Sequence, residues 1–195
     1  MSAVTIDEAW PTASQPFNVE VLDRMPDDGR RYELLDGSLV VSPRPVLAHQ
    51  DVAGELSYVL RQVCPPELRV LSEPAVQLSA DTEFVPDIVV IRRNKLRGAR
   101  LTTPPLLAVE VRSPSTALIG LNRKKTAYER FGVPSYWIVV PDPAAPELIA
   151  FELDDGRYIQ VAQVIGDKAF AASQPFAVTV VPADLVAALP GPDSD

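Results

Sequence analysis

Two carboxylates interrupt runs that otherwise read as buried strands. Asp87 heads the apolar part of FVPDIVVIRR (84–93), and Glu110 lies inside LLAVEVRSP (106–114). Ile88, Val89, Val90 and Ile91 are contiguous and β-branched, the composition of a strand covered on both faces. A desolvated carboxylate is costly unless a cation or hydrogen-bond donors meet it. Two that converge also repel, and one of them then holds its proton. A divalent metal resolves both difficulties. Hard oxygen ligands suit Mg2+ or Mn2+, and magnesium typically takes one or two carboxylates, with water and substrate phosphate beside them. The alternative is that each carboxylate is salt-bridged to an arginine at a strand end.

Lys124 follows Glu110 by 14 residues, and Tyr128 lies one turn further on the same helix face. Lys124 and Lys125 point about 100° apart on a helix, so at most one aims at the carboxylates. A lysine there steadies developing phosphate charge or orients an attacking water. Otherwise the pair is two exposed helix charges. His49 is the only histidine. Histidine suits general-base work near neutral pH, and here it can equally cap the helix that begins after Pro45. One histidine and one cysteine, Cys64, exclude a His-rich zinc site. No serine sits in a Gly-x-Ser-x-Gly elbow, so Ser-His-Asp catalysis has little support.

The elements that must position these groups follow from the pattern. Residues 18–26 form a short helix candidate ended by Pro26. RYELLDGSLVVSP (31–43) is a hairpin with Asp36-Gly37 as its two-residue turn. Residues 46–64 carry Val52, Leu56, Val59, Leu60 and Val63 at helical spacing, and Pro65-Pro66 stops that helix. Residues 69–78 read as a strand interrupted by Pro74, 84–91 as a strand, and 106–114 as another, separated by a basic loop over 92–105. A helix over 115–132 follows, capped by Ser115 or Thr116 and ended by Gly132. The strand 135–140 completes a crossover unit. A second hairpin (147–164) turns around Asp154-Asp155-Gly156, and a short strand (176–181) and a helical turn (184–189) close the chain. The class is α/β: a central mixed β-sheet flanked by helices, with N-terminal and C-terminal hairpins. Residues 1–16 read as a flexible tail, 17–190 as a single domain and 191–195 as a C-terminal tail.

The bulk composition bounds the function. The 195 residues are 47% hydrophobic, enough for a real core. No stretch approaches the ~18 apolar residues of a membrane helix, and the first residues lack a basic start and an apolar core. With a single cysteine, a reducing cytoplasm is the expected compartment. Net charge is −8, which taken whole argues against nucleic acid. Residues 92–130, however, hold ten Lys or Arg against Glu110 and Glu129. They form either a positive patch on an acidic protein or a solvated basic loop and helix.

VPD (85–87), VEVRSPST (109–116) and RKKTAYERFGVPSYW (123–137) together resemble the Uma-type family of restriction endonucleases, within the PD-(D/E)XK nuclease superfamily. RYELLDGSLVVSP upstream and the His49-Gln50 pair also match its pattern, and the similarity runs from about Arg31 to Leu189. The resemblance implies a restriction-endonuclease-like core and a Mg2+- or Mn2+-dependent endonuclease that hydrolyses DNA phosphodiesters. It implies Pro86-Asp87 as the first motif element and Glu110 as the second, with the carbonyl of Val111 as a third metal ligand. Arg112 stands where the superfamily has lysine, and Lys124 on the following helix supplies that lysine. Glu33 matches an acidic residue able to join the metal site, and His49 matches a recurrent histidine. Gly120 stands where the family often has aspartate. The expected partner is DNA, with a homodimer allowed and no membrane. Two other readings stay open: a nucleic-acid-binding relative with weak or no turnover, and a soluble protein-interaction domain. Arg92, Arg93, Arg97 and Arg100 are the expected phosphate contacts. Mutual repulsion predicts that Asp87→Asn leaves the metal-free fold at least as stable.

Overall fold

The computed structural model describes residues 16–112 and 118–189. After a 3-10 turn (Val19–Arg24), β1 (Arg31–Leu35) and β2 (Ser38–Ser42) form the first hairpin. Asp36 and Gly37 make its turn with φ of 48° and 73°, the left-handed pair that suits the twist of the flanking strands. Helix α1 (Leu47–Val63) buries Val52, Leu56 and Leu60 along one stripe. Next come β3 (Leu68–Ser72), β4 (Val76–Gln77), β5 (Glu83–Phe84) and β6 (Ile88–Arg92). Then β7 (Leu107–Val111), α2 (Leu118–Phe131) and β8 (Ser135–Val140) make the expected crossover, with β7 and β8 parallel. The chain finishes with β9 (Glu147–Asp154), β10 (Arg157–Ile165), β11 (Phe170–Ala172), β12 (Val178–Val180) and α3 (Pro182–Leu185).

Two apolar runs that read as single strands are split between sheets. Pro74 separates β3 from β4, and Pro86 separates β5 from β6. In each case the first and second pieces belong to different sheets: a six-stranded one, ordered β10-β9-β8-β7-β6-β3, and a four-stranded one, ordered β2-β1-β5-β4. Proline has no N–H for a ladder, so each is a natural point to leave one sheet for another. Asp87 therefore sits at a corner, immediately before β6, and not in the body of a strand.

The six-stranded sheet is mixed and covered on both faces. Ile88, Val90, Leu107, Val109, Trp137 and Val139 pack with α1, the β11–β12 ribbon and α3. On the other face Ala108 and Tyr136 meet Tyr128 of α2 and Phe84 of β5. Glu110 is two residues beyond Ala108 on β7, so strand alternation sends it to the α2 face. Gly132 ends α2, where the N–H groups of Gly132 and Val133 both bond the Tyr128 carbonyl.

The α/β class, the central mixed sheet flanked by helices and the two hairpins agree with the sequence reading. The segment after Asn18 is a 3-10 turn where a helix was expected, and β11 had no sequence signal. The two tails and the proposed caps Ser115 and Thr116 lie outside the described residues, except Pro16. No helix among the described residues is long and apolar enough to cross a membrane.

Candidate active site

The corner at residues 85–87 decides the first half of the site. Val85 has left the sheet, and its N–H goes to the Glu33 carboxylate at 2.7 Å. Asp87 is 2% exposed. Its Oδ1 accepts from Arg31 Nη1 at 2.9 Å and lies 3.1 Å from His49 Nε2. Its Oδ2 accepts the Val111 N–H at 2.7 Å. Burial pushes the Asp87 carboxyl up, but His49, Arg31 and the Val111 amide outweigh it and hold it below the usual carboxylate range. Asp87 stays ionised. Arg31 also pairs with Glu73.

The second half is built on β7 and α2. Lys124 Nζ stands 3.2 Å and 3.1 Å from the two oxygens of Glu110 and 2.8 Å from Glu33 Oε1. The Tyr128 hydroxyl donates to Glu110 Oε1 at 3.0 Å. Burial pushes the Glu110 carboxyl up to about 7; Lys124 opposes the rise, while Asp87 and Glu33 add repulsion. For Lys124, burial favours the neutral amine, but Glu110 and Glu33 outweigh it, so the ammonium persists. Burial, then Glu110 and Glu33, keep the Tyr128 phenol protonated. Lys125 points elsewhere, with Nζ 4.1 Å from the centre of the Phe151 ring. Gly120 lies on α2 one turn before Lys124. The two carboxylates that grip Lys124 orient it without an aspartate at that turn.

Asp87, Glu110, Lys124, Glu33 and His49 thus meet in one network at one end of the six-stranded sheet. Val111 contributes its N–H to Asp87 in this arrangement. Salt-bridging to an arginine holds for Asp87 and not for Glu110, whose cation is Lys124. Sequence reasoning missed Arg31. The available signal was spacing: Arg31 and Glu33 are two apart in β1, so they share a face. The basic segment divides. Arg92, Arg93, Lys95 and Arg97 are exposed near the far end of β6 from Asp87. Arg100 is an internal brace, 2.6 Å from Asp23 and 2.8 Å from Glu83, so it is not a free phosphate contact.

Carboxylate oxygens are the donors that suit a hard divalent cation, and Glu33 and Glu110 meet on one ammonium. Among the described residues, no three His, Cys, Asp or Glu side chains group closely enough to hold an ion by themselves. The Lys124 ammonium lies between Glu33 and Glu110, a charge stand-in for a metal ion.

No protein of established function matches the chain in the comparison with curated sequences. The crystal structure of a "putative nuclease" from Anabaena variabilis shares the fold, with a TM-score of 0.71 at 18% identity over 88% of this chain and 98% of that one. The Uma2 family, described as "Putative restriction endonuclease", matches residues 19–183. That span contains the whole buried network from Arg31 to Tyr128, and the chain belongs to the Uma2 family.

Proposed function

We propose that the chain is a Mg2+- or Mn2+-dependent endonuclease that hydrolyses DNA phosphodiester bonds. The observation that carries the reading is the pairing of Glu33 and Glu110 on Lys124 beside Asp87, which Arg31 and the Val111 N–H hold in place. Asp87 and Glu110, with the Val111 carbonyl, are the residues that would hold the metal, and Glu33 stands ready to join them. A divalent ion supplies Lewis acidity toward a phosphate oxygen when bound.

The chain's own groups do the rest. Arg31, His49 and the Val111 amide keep Asp87 anionic and fixed in direction. Glu110 shares its charge with Lys124 and is turned by Tyr128. Lys124 stays cationic in a water-poor setting, where one charge on a developing phosphate oxyanion is worth most. His49 lines the site through Asp87. DNA is the proposed partner and the cytoplasm the proposed compartment. Residues 17–190 are proposed to act as one domain, with a homodimer as a permitted assembly.

Cleavage of a panel of single- and double-stranded DNA and RNA in Mg2+, Mn2+ and chelator tests this reading, alongside the Mn2+-induced rise in melting temperature. At 100 times Kd, a ligand selective for the folded state stabilises by about 2.7 kcal/mol. Metal-dependent DNA cleavage with a Mn2+ shift that Asp87→Asn removes supports the proposal. No shift and no cleavage would sink it. One observation favours a second reading, a nucleic-acid binder without turnover: both Asp87 oxygens already have protein donors. DNA binding in Ca2+ with no cleavage in Mg2+ or Mn2+ would select it.

A further inference from the structure

We infer that a groove between the β1–β2 hairpin and α2 grips the nucleic-acid backbone beside the reacting phosphate. This rests on the nuclease reading above and adds the surface that holds its substrate. The groove encloses about 630 Å³. Leu35, Asp36 and Ser38 line it from the hairpin, and Asn122, Arg123 and Arg130 from α2. The same two elements are joined by the Lys124–Glu33 contact at 2.8 Å, so groove and buried network share a wall.

Charge pairing separates these arginines from others in the molecule. Arg31, Arg100 and Arg157 are committed to carboxylates. Arg123 and Arg130 are exposed and have no ion pair among the described residues. They are seven residues apart on one helix, about 10.5 Å along its axis at about 1.5 Å per residue. Measured along a duplex axis, where one strand places a phosphate about every 3.4 Å, that reach covers roughly three phosphates. A guanidinium fork suits phosphate oxygens, and the Ser38 hydroxyl and Asn122 amide add neutral donors of the kind that fix backbone register. Thr126 is not among these donors, because its hydroxyl already donates to the Asn122 carbonyl at 3.0 Å. Asp36 puts one carboxylate at the hairpin tip and repels phosphate, which presses the strand toward α2.

The basic loop is elsewhere. Arg92 and Lys95 line a separate cavity of about 250 Å³ with Pro104 and Pro134. Five strand residues at about 3.3 Å each put Arg92 about 16 Å from Asp87. Asp36 is three residues from Glu33, about 10 Å along the strand, so the groove lies nearer the buried network than the loop does.

The test is fluorescence-anisotropy titration of labelled duplex DNA in Ca2+ over 50–200 mM salt. Arg123→Gln with Arg130→Gln is expected to weaken binding about tenfold or more near 0.1 M salt. It should also lower the slope of log K against log salt by about 1.8, two contacts at about 0.9 each. Asp36→Asn is expected to tighten binding two- to threefold, roughly the effect of removing one repulsive charge. Arg92→Gln with Lys95→Gln is expected to bind as the unaltered protein does. Melting curves establish that each variant is folded, and Asp36→Asn still decides if the double arginine variant is not. Unaltered affinity and slope in the folded groove variant overturn the inference while the nuclease reading stands. No DNA binding by the unaltered protein overturns both.

Discussion

Asp87 and Glu110 are both almost fully buried, yet their surroundings push them in opposite directions. Asp87 sits at a chain corner where Arg31, His49 and a backbone amide reach it, and its carboxyl is held low. Glu110 sits inside a strand, where its partners are one shared ammonium and one phenol, and its carboxyl is pushed up to about 7. The difference lies in donor supply. A corner admits side chains from several elements and here lies against the Val111 amide freed at the end of β7, whereas Glu110, inside the strand, meets what α2 brings to it, the Lys124 ammonium and the Tyr128 hydroxyl. One carboxylate is a fixed anion and the other is pushed up to about 7, which in the proposed nuclease would make one permanent and one conditional metal ligand.

Four experiments sharpen or break that contrast. The largest effect belongs to Asp87→Asn. The amide turns a donor toward Arg31, His49 or Val111, and it leaves a mostly buried guanidinium without its buried counter-charge. We expect a loss of about 3 kcal/mol in chelator, measured by urea unfolding, together with loss of metal-dependent cleavage. This reverses the sequence-based expectation of an unharmed metal-free fold, which took the carboxylates to face each other without cations. An Asp87→Asn protein as stable as its parent would restore it. Lys124→Met comes next. Glu33 and Glu110 lose their common cation, but Glu110 can take up a proton, so we expect about 2 kcal/mol and a large drop in turnover.

Glu110→Gln should change stability by no more than about 1 kcal/mol at pH 7.5, because the neutral amide still accepts from Lys124 and Tyr128. It should nevertheless abolish the Mn2+ shift. A loss as large as that of Asp87→Asn would erase the distinction between the two halves. The fourth experiment is the pH dependence. Glu110 has a folded pKa of about 7 against an ordinary 4.5. The folded state binds that proton more tightly, so its contribution to stability is full at low pH and is lost as pH rises from about 4.5 to about 7. Asp87 has the opposite sign: its contribution is present above its ordinary 3.8 and is lost as pH falls below that. Melting temperatures from pH 4 to 8 should show the first decline in the parent and a flatter profile in Glu110→Gln.

The legible parts were those with a local signature. Asp-Gly announced both hairpin turns, and the period of α1 announced its buried stripe. Asp87 and Glu110 stood out because apolar residues surround each. Arg31 did not, since an arginine at a strand start reads as solvated and its partner is 56 residues away. The break at Pro86 was hidden by the apolar residues on both sides. Glu83 shows the limit of the reasoning: it is as buried as Glu33, but it answers to Arg100 and braces a loop. Only the pairing of strands separates the two.

Among the described residues, two peptide hydrogens are held by carboxylates of the site and not by a neighbouring strand: that of Val85 by Glu33, and that of Val111 by Asp87. Each is a built-in spectroscopic probe. In an amide spectrum their shifts and exchange rates report on the charge and position of those two carboxylates, with no label and no substrate. Metal titration should move the Val111 resonance with Asp87 and the Val85 resonance with Glu33, so the two signals tell which carboxylate an ion reaches first.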